Sequence, residues 1–376
     1  MKNCLFLLLL LVSILAISCG DSEKTAQNEI IDPANFTETT HTATQSLLIE
    51  ETDDFFFSRI TTVQPTSKGD ILVGDFTTKK FFVFNPNGDL VGEIGKEGSG
   101  PGEFQFLGKS YVGQNDSLFV MDWSNARISA FTETAPGKWT HQLDIPMVQE
   151  EGARLNGFFH FGEQGLIGQY QQSFSPTEPT PTDWPYIAKI NRKGEKVGDK
   201  IVTFRYTDMK MNRTTNMIAI YSIPIGKSGF VRESSNALHT ANNEYFGSTM
   251  YNLEGDTLNH FRLNVVDRPV TEDIIFQVFN GNLDSDYYKA VKDELPSLMP
   301  AFDEFQVDNQ GNSYFQFEYF NETDDLWLKF TPDGELVASF TIPKGTIIQR
   351  IYNNKIYSSA GEDDVPYIVV YELIKN

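Results

Sequence analysis

The sequence predicts an all-β fold: a six-bladed β-propeller of four-stranded antiparallel blades, closed by an N-terminal strand and carrying one short helical insertion. Three observations point there. Aromatic residues make up 13% of the chain, with 30 Phe and 15 Tyr, in short alternating runs bounded by Gly, Asn or Pro, the pattern of short strands. One hairpin turn recurs at a fixed spacing. The units that carry it repeat at roughly 40 to 50 residues, the period of a propeller blade.

The chain opens with MKNCLFLLLLLVSILAISCG. Lys2 supplies a positive start, and residues 4–17 are almost wholly apolar, too short and wrongly flanked for a spanning helix. Residues 1–18 therefore read as a signal peptide. Ala16-Ile17-Ser18-Cys19 resembles the lipobox of bacterial lipoproteins. That resemblance implies cleavage before Cys19 and a diacylglycerol on its thiol, with the membrane as a partner through the lipid. Cys4 and Cys19 are the two cysteines of the chain. One leaves with the signal and the other is acylated, so no disulfide is expected. Burial alone must hold the fold, and a chain of this length has enough core for that.

Residues 19–43 are polar and Thr-rich, and the composition predicts a flexible tether. Asp21 and Glu23 within it resemble the surface-export signal of Bacteroidota lipoproteins. The expected location is the outer membrane, facing periplasm or cell surface. A net charge of −21 argues against nucleic acid as a partner. Residues 44–376 form the expected propeller. Its first strand, SLLIE at 46–50, has no blade of its own. It should complete the last blade beside PYIVVYELI at 366–374, a latch that protects exposed edges.

The blades show an internal register. GDFTTKKFFVFNPNGD aligns with MDWSNARISAFTETAPGK, placing Asp75 against Asp122, 47 residues later. Lys80 and Arg127 follow five residues on, and Phe84 and Phe131 nine residues on. A turn then reverses the chain: an apolar residue, three turn-type residues, Gly and an acid. It recurs as FNPNGD (84–89), INRKGE (190–195), YNLEGD (251–256) and FTPDGE (330–335), with a longer version from Phe131 to Gly137. A tight hairpin needs φ > 0 at one position, which Gly takes without steric cost. Inner hairpins are expected at 67–73, 114–120, 163–169, 242–248, 309–315 and 352–358, which makes six units.

The stretch IGKEGSGPGEF (94–104) holds four glycines, but not a phosphate cradle. A Walker loop needs Lys and then Ser or Thr after its last Gly, followed by a helix. Here Lys96 precedes Glu97, and a strand-like segment follows. The glycines should carry the chain from the outer strand of one blade to the inner strand of the next. With LFVMDWSNARISAF, the stretch resembles the NHL-repeat pattern, which Asp122, Asn125, Arg127, Ile128 and Phe131 fit. The whole chain resembles the six-bladed β-propeller lipoproteins of Bacteroidota, sharply over residues 70–135 and diffusely elsewhere. It departs after Phe104, where a proline is usual and Leu107 or Gly108 stands. The resemblance implies a fold more than an activity.

Chemistry is sparse. His41, His141, His160, His239 and His260 form no pair at ligand spacing, and the acids fall mostly at turn positions. There is no G-x-S-x-G, and no cysteine nucleophile remains after acylation. No catalytic residue, metal or cofactor is assigned. The insertions carry more information. QYQQSFSPTEPTPTDWPY (169–186) ends near Trp184, and residues 203–240 hold Arg205, Lys210, Arg213, Lys227 and Arg232. Trp184, Arg205 and Arg232 are the candidate ligand contacts: an aromatic face for a sugar or peptide side chain, and guanidinium groups for an anion. The competing reading packs Trp184 on a blade edge and leaves the bases solvated. Residues 271–298 offer an acidic or Ser N-cap, then Tyr287, Val291 and Leu295 at i, i+4 and i+8, stopped by Pro296. That pattern predicts one short amphipathic helix capping the ring.

Two functions follow. The favoured one is a non-catalytic cell-envelope lipoprotein, a binding or scaffold propeller for a glycan, peptide or envelope protein. The alternative is a metal-dependent propeller hydrolase or lyase. The lipobox reading makes a direct prediction. Cys19→Ala should abolish palmitate labelling and release the protein from the membrane fraction; continued labelling would refute the assignment.

Overall fold

The computed structural model describes residues 30–376, apart from 114, 151, 163–164, 173–183, 214–217, 319–320 and 363–364. The signal peptide, Cys19 and the first part of the expected tether lie outside the described residues.

Six antiparallel four-stranded blades follow one another along the chain, the fourth extended by a two-residue parallel strand. Blade 1 comprises Ile60–Pro65, Ile71–Asp75, Lys80–Phe84 and Leu90–Ile94. Blade 2 comprises Ser110–Val112, Leu118–Asp122, Arg127–Ala135 and Lys138–Pro146. Blade 3 comprises Ala153–His160, Leu166–Gln172, Tyr186–Ile190 and Lys196–Thr203. Blade 4 comprises Gly229–Glu233, Leu238–Asn242, Phe246–Tyr251 and Thr257–Val265. Blade 5 comprises Glu304–Val307, Ser313–Phe317, Asp324–Phe330 and Leu336–Pro343. Blade 6 takes Ile347–Tyr352, Lys355–Glu362 and Val365–Lys375 from the C-terminus and its outer strand, His41–Ile49, from the N-terminus. The latch expected from the sequence is present, and it is longer than SLLIE.

The inner strands of blades 6 and 1 touch, which closes the ring. A parallel bridge between Asp308 and Ile351 shows that neighbouring inner strands run in the same sense. The two faces of the disc therefore differ. Turns between strands one and two, and between three and four, emerge on one face, the turn face. Turns between strands two and three, and the links between blades, emerge on the other, the link face.

Each blade is buried on both sides by its neighbours, so its middle strands read as nearly continuous apolar runs. Ile71–Asp75 and Leu118–Asp122 are buried throughout. Between blades 1 and 2, Leu72, Phe81 and Val83 pack on Phe104, Leu118 and Phe131. Between blades 4 and 5, Phe246 and Phe261 meet Phe315 and Phe330, mostly edge-on or tilted. The repeated turn behaves as expected: Gly88, Gly194, Gly255 and Gly334 have φ of 88°, 80°, 94° and 83°.

Asp75 and Asp122 are fully buried and do the same work 47 residues apart. Asp122 accepts backbone N–H groups from Ser124 and Asn125 in its own turn, and from Gln105 and Phe106 in the incoming link, at 2.8–3.2 Å. Asp75 does so for Thr77, Thr78, Ser58 and Arg59 at 2.7–3.0 Å. The glycine-rich stretch is that link. Asn125 Nδ2 donates to Gly98 O, and Arg127 donates to the carbonyls of Gly100 and Glu103.

Three expectations change. The tether assigned to 19–43 is structured from Ile30: Ile30–Ile31 pairs in parallel with the outer strand of blade 4, and His41–Ala43 already belongs to the latch. An outer strand buries one side at most, so its polar composition resembles a linker. The turn at 242–248 joins the second and third strands of blade 4, not the first two, which meet at 234–237. That short SSNA turn lacks the Gly or Asn-Gly signal that marks a hairpin. The helical insertion holds two short helices, Glu272–Val278 and Asp286–Val291, N-capped by Thr271 and Ser285. Leu295 lies beyond the second.

Two predictions follow. Deletion through Glu50 should lower the thermal midpoint by roughly 5–10 °C or open the ring, and deletion through Phe36 should cost less than half as much. Equal melting of the two would contradict closure by the latch. Asp122→Ala should cost about 3 kcal/mol or more in denaturant melts, since four buried N–H groups lose their acceptor. Asp122→Asn should cost less, because its amide oxygen still accepts.

Candidate functional site: the axial channel and its two mouths

The inner strands surround an axial channel. On the turn face it opens into a cavity of about 280 Å³ lined by Ser67, Tyr111, Asp116, Ser234, Asn309 and Arg350, among others. A second cavity of about 270 Å³ lies over the seam between blades 6 and 1. Ser67 and Tyr352 line both, so the two form a polar groove from the axis to the closure seam.

Three residues on alternate blades meet beneath the first cavity. Arg350 of blade 6 pairs with Glu233 of blade 4, and its guanidinium lies 5.6 Å from the ring centre of Tyr111 in blade 2. Burial works against the Arg350 charge, but Glu233 and then Tyr111 outweigh it and hold its pKa up. Burial, reinforced by Glu233, pushes the Tyr111 phenol up, so the group is a neutral hydroxyl. The trio is a paired, enclosed plug that ties blades 2, 4 and 6 across the axis.

Towards the link face the channel carries Lys109, one residue before the inner strand of blade 2, and Arg232 on the inner strand of blade 4. Arg232 donates to Glu304 at 2.6 Å and to Gln306 at 3.3 Å, both on the inner strand of blade 5.

All three long insertions leave from the link face. They are the connection between Gln172 and Tyr186 in blade 3, the link from Thr203 to Gly229, and the link from Val265 to Glu304. The second contains a hairpin, Met209–Arg213 with Ile218–Ser222, and the third contains the helices. These two pack on each other. Tyr221 stacks on Tyr287 at 5.9 Å, Tyr287 Oη donates to Ser222 O at 2.9 Å, and Lys210 pairs with Glu294.

Trp184 is 54% exposed at the edge of the blade 3 insertion. Phe204 N donates to Pro185 O, so Trp184 and Arg205 flank the same backbone bond. Arg205 is held by Asp208 at 2.9 Å and Glu244 at 3.2 Å, and Lys227 also pairs with Glu244. Arg232 is placed in the channel, on a different element. The bases expected to be solvated are thus mostly matched to carboxylates, and the Arg213 side chain lies outside the described residues.

The histidines are dispersed. His239 is buried, with Nε2 3.0 Å from Ser234 Oγ, and burial lowers its pKa to about 4 despite Asp308. His160 stacks on Phe119. His141 pairs with Asp144, His260 with Thr249 and His41 with Thr40. Among the described residues, no group of three or more His, Cys, Asp or Glu is arranged to hold a metal ion. The expectations missed Lys109, Tyr111, Glu233 and Arg350. A signal existed: GFVRE and IIQRIY carry charges inside short strands that should be buried on both sides.

Comparison with known proteins agrees with the architecture. A protein-family model described as a 6-bladed beta-propeller matches residues 22–164. No curated protein matches the sequence. Among solved structures, the chain is similar to a Bacteroides fragilis protein whose name describes it as exported, at 11% identity and a TM-score of 0.52, covering 90% of this chain and 95% of that one. It is also similar to a member of the duf4221 family from Bacteroides vulgatus (10% identity, TM-score 0.45, 90% and 99% covered). A third is the PQQ-bound aldose sugar dehydrogenase of Streptomyces coelicolor (9% identity, TM-score 0.44, 89% and 98% covered). At such identities the likeness is one of fold, and the fold of this chain is a six-bladed β-propeller.

Proposed function

We propose that this chain is a non-catalytic binding or scaffold propeller of the cell envelope. In this reading a lipid on Cys19 holds it at the outer membrane, facing periplasm or cell surface, and its link face meets a glycan or peptide. One observation carries the binding half of the reading. Three separate insertions from blades 3 and 4 emerge on one face, and two of them pack together through Tyr221 and Tyr287. Loops gathered at one end of a rigid ring are where such a scaffold adds specificity without disturbing strands. Trp184 stands exposed on the same face as a stacking surface. Arg205 and Arg232 already hold carboxylates, so an anionic ligand would share or exchange those pairs rather than meet free guanidinium groups.

The envelope half rests on the lipobox, on the resemblance to NHL-like lipoproteins of Bacteroidota, and on the exported name of the Bacteroides fragilis protein that shares the fold. The test is a glycan and peptide array probed with the full chain in detergent, beside Trp184→Ala and Arg232→Ala. Trp184→Ala should weaken a captured ligand by about tenfold, the effect of losing a stacking contact of roughly 1.4 kcal/mol. A ligand that neither substitution weakens would place the site elsewhere, with the turn-face groove next in line.

A further inference from the structure

The inner turns, which join strands one and two of each blade, surround the turn-face mouth, and several clasp their neighbours. Ser235 Oγ of blade 4 donates to Asn309 O of blade 5 at 2.8 Å. Asn309 Nδ2 donates to Asn353 Oδ1 of blade 6 at 3.0 Å, and Asn353 N donates back to Asn309 Oδ1 at 2.9 Å. Ser67 N and Oγ of blade 1 donate to Asp116 of blade 2 at 2.7 and 2.6 Å. Between blades 6 and 1 the described residues make no such clasp. The second cavity opens at that seam, where the ring closes.

Tyr357, on the second strand of blade 6, lines this seam cavity and is 5% exposed. Its ring packs with Ile71 and Val370 in the closure core, yet its hydroxyl has no hydrogen bond among the described residues. Tyr314, equally buried, donates its own to Asp308 at 3.0 Å. Tyr170 and Tyr186 also leave theirs unpaired, but they stack on each other in blade 3 and line neither cavity. Burial first, then Tyr352 and Glu372, push the Tyr357 phenol up to about 12, so at neutral pH it keeps a proton to donate. Tyr352, whose hydroxyl is likewise unpaired among the described residues, stands on the wall that both cavities share.

Charge around the two cavities is already matched. Lys68 pairs with Glu133 at 2.6 Å, Lys355 with Glu372 at 3.0 Å and Arg350 with Glu233, while Asp116 takes both bonds from Ser67. Leu47, Ile71 and Pro86 give the seam cavity an apolar side. What is left to recognise a ligand is an apolar wall beside neutral donors and acceptors. A pyranose ring has the complementary form, with an apolar C–H face and a hydroxyl rim. Cavities of about 280 and 270 Å³ each have room for about nine waters at roughly 30 Å³ apiece, which suits one sugar ring each.

We propose that the turn-face groove is a glycan site for two successive neutral sugar rings, one in the seam against Tyr357 and one over the axial plug. It is a second site and does not depend on the link-face reading. Leu47 belongs to the latch, so the seam ring would touch blade 6, blade 1 and the N-terminal strand together. It would supply the clasp that this seam lacks, and binding would hold the ring shut.

The experiment uses the full chain in micelles of a detergent without a sugar headgroup. Cellobiose, maltose, lactose, mannobiose and chitobiose are titrated by calorimetry, each beside its own monosaccharides, with glucuronate and glucosamine as charged probes. At least one disaccharide should bind tenfold or more tightly than its monosaccharides and raise the thermal midpoint by about 2 °C or more at saturation. Tyr357→Phe removes an unpaired hydroxyl and keeps the packing, so it should melt no lower and should weaken that disaccharide about fivefold or more. Tyr352→Phe should weaken it as well, and carries the test if Tyr357→Phe melts early. Binding of no disaccharide, tighter binding of a charged probe, a monosaccharide as tight as its disaccharide, or undiminished binding in both phenol variants would each overturn the site. A disaccharide lost in Trp184→Ala and kept in Tyr357→Phe would belong to the link face, sinking the groove and leaving the link-face reading intact.

Discussion

Two buried carboxylates fix how one blade hands the chain to the next. Asp75 and Asp122 each stand at the end of a second strand and accept N–H groups both from their own turn and from the link arriving from the preceding blade. A link between blades has no ladder partner, so its donors would otherwise face the interior unpaired. Charge-assisted bonds are short and strong enough to hold such a loop in one path. The same junction is solved differently elsewhere. In blade 4, Asn243 Oδ1 takes Ser228 N, and its Nδ2 donates to Gly226 O. In blade 5 the carboxylate moves to the link: Asp303 takes Glu318 N. Burial pushes Asp303 up to about 7, against the pull of Arg268. That site needs its cation nearby in a way that the multiply bonded Asp75 and Asp122 do not.

This junction explains how much could be read from the sequence. Asp75, Asp122 and the Gly turns were legible because each answers a local demand at a fixed spacing. The latch was legible as a strand without a blade. Its full length was not, because a strand on the rim needs its backbone more than its side chains, and HTATQSLLI has the polarity of a linker. Blade 4 was misread at 242–248 because its first turn, SSNA, carries no conformational signal. Trp184 and Arg205 did prove neighbours through the Pro185–Phe204 bond, which follows from the pairing of two strands. Tyr111, Glu233 and Arg350 come together from different blades, and no local spacing encodes that encounter.

The channel divides into two unequal halves. Arg350, Glu233 and Tyr111 satisfy one another and close the turn-face half with a neutral, tightly held plug. Buried pairs of this kind are costly to break singly, so this half is built to stay as it is. The link-face half lies on the side where the insertions gather, and its Arg232 is paired with Glu304. A locked plug at one mouth and gathered loops at the other make the two ends of the ring unequal.

The N-terminal segment crosses two blades before it enters the ring in a third. Ile30–Ile31 pairs with blade 4, Thr40 exchanges hydrogen bonds with Ser339 on the outer strand of blade 5, and His41–Ile49 closes blade 6. If the chain is pulled from its N-terminus, force meets these attachments in series. The two-residue parallel pair gives way first, then the Thr40–Ser339 clasp, and only then the nine-residue latch. The order is that of a fuse ahead of a lock. A modest tug lengthens the leash by about 30 Å, at some 3.3 Å for each residue released, while the ring remains shut.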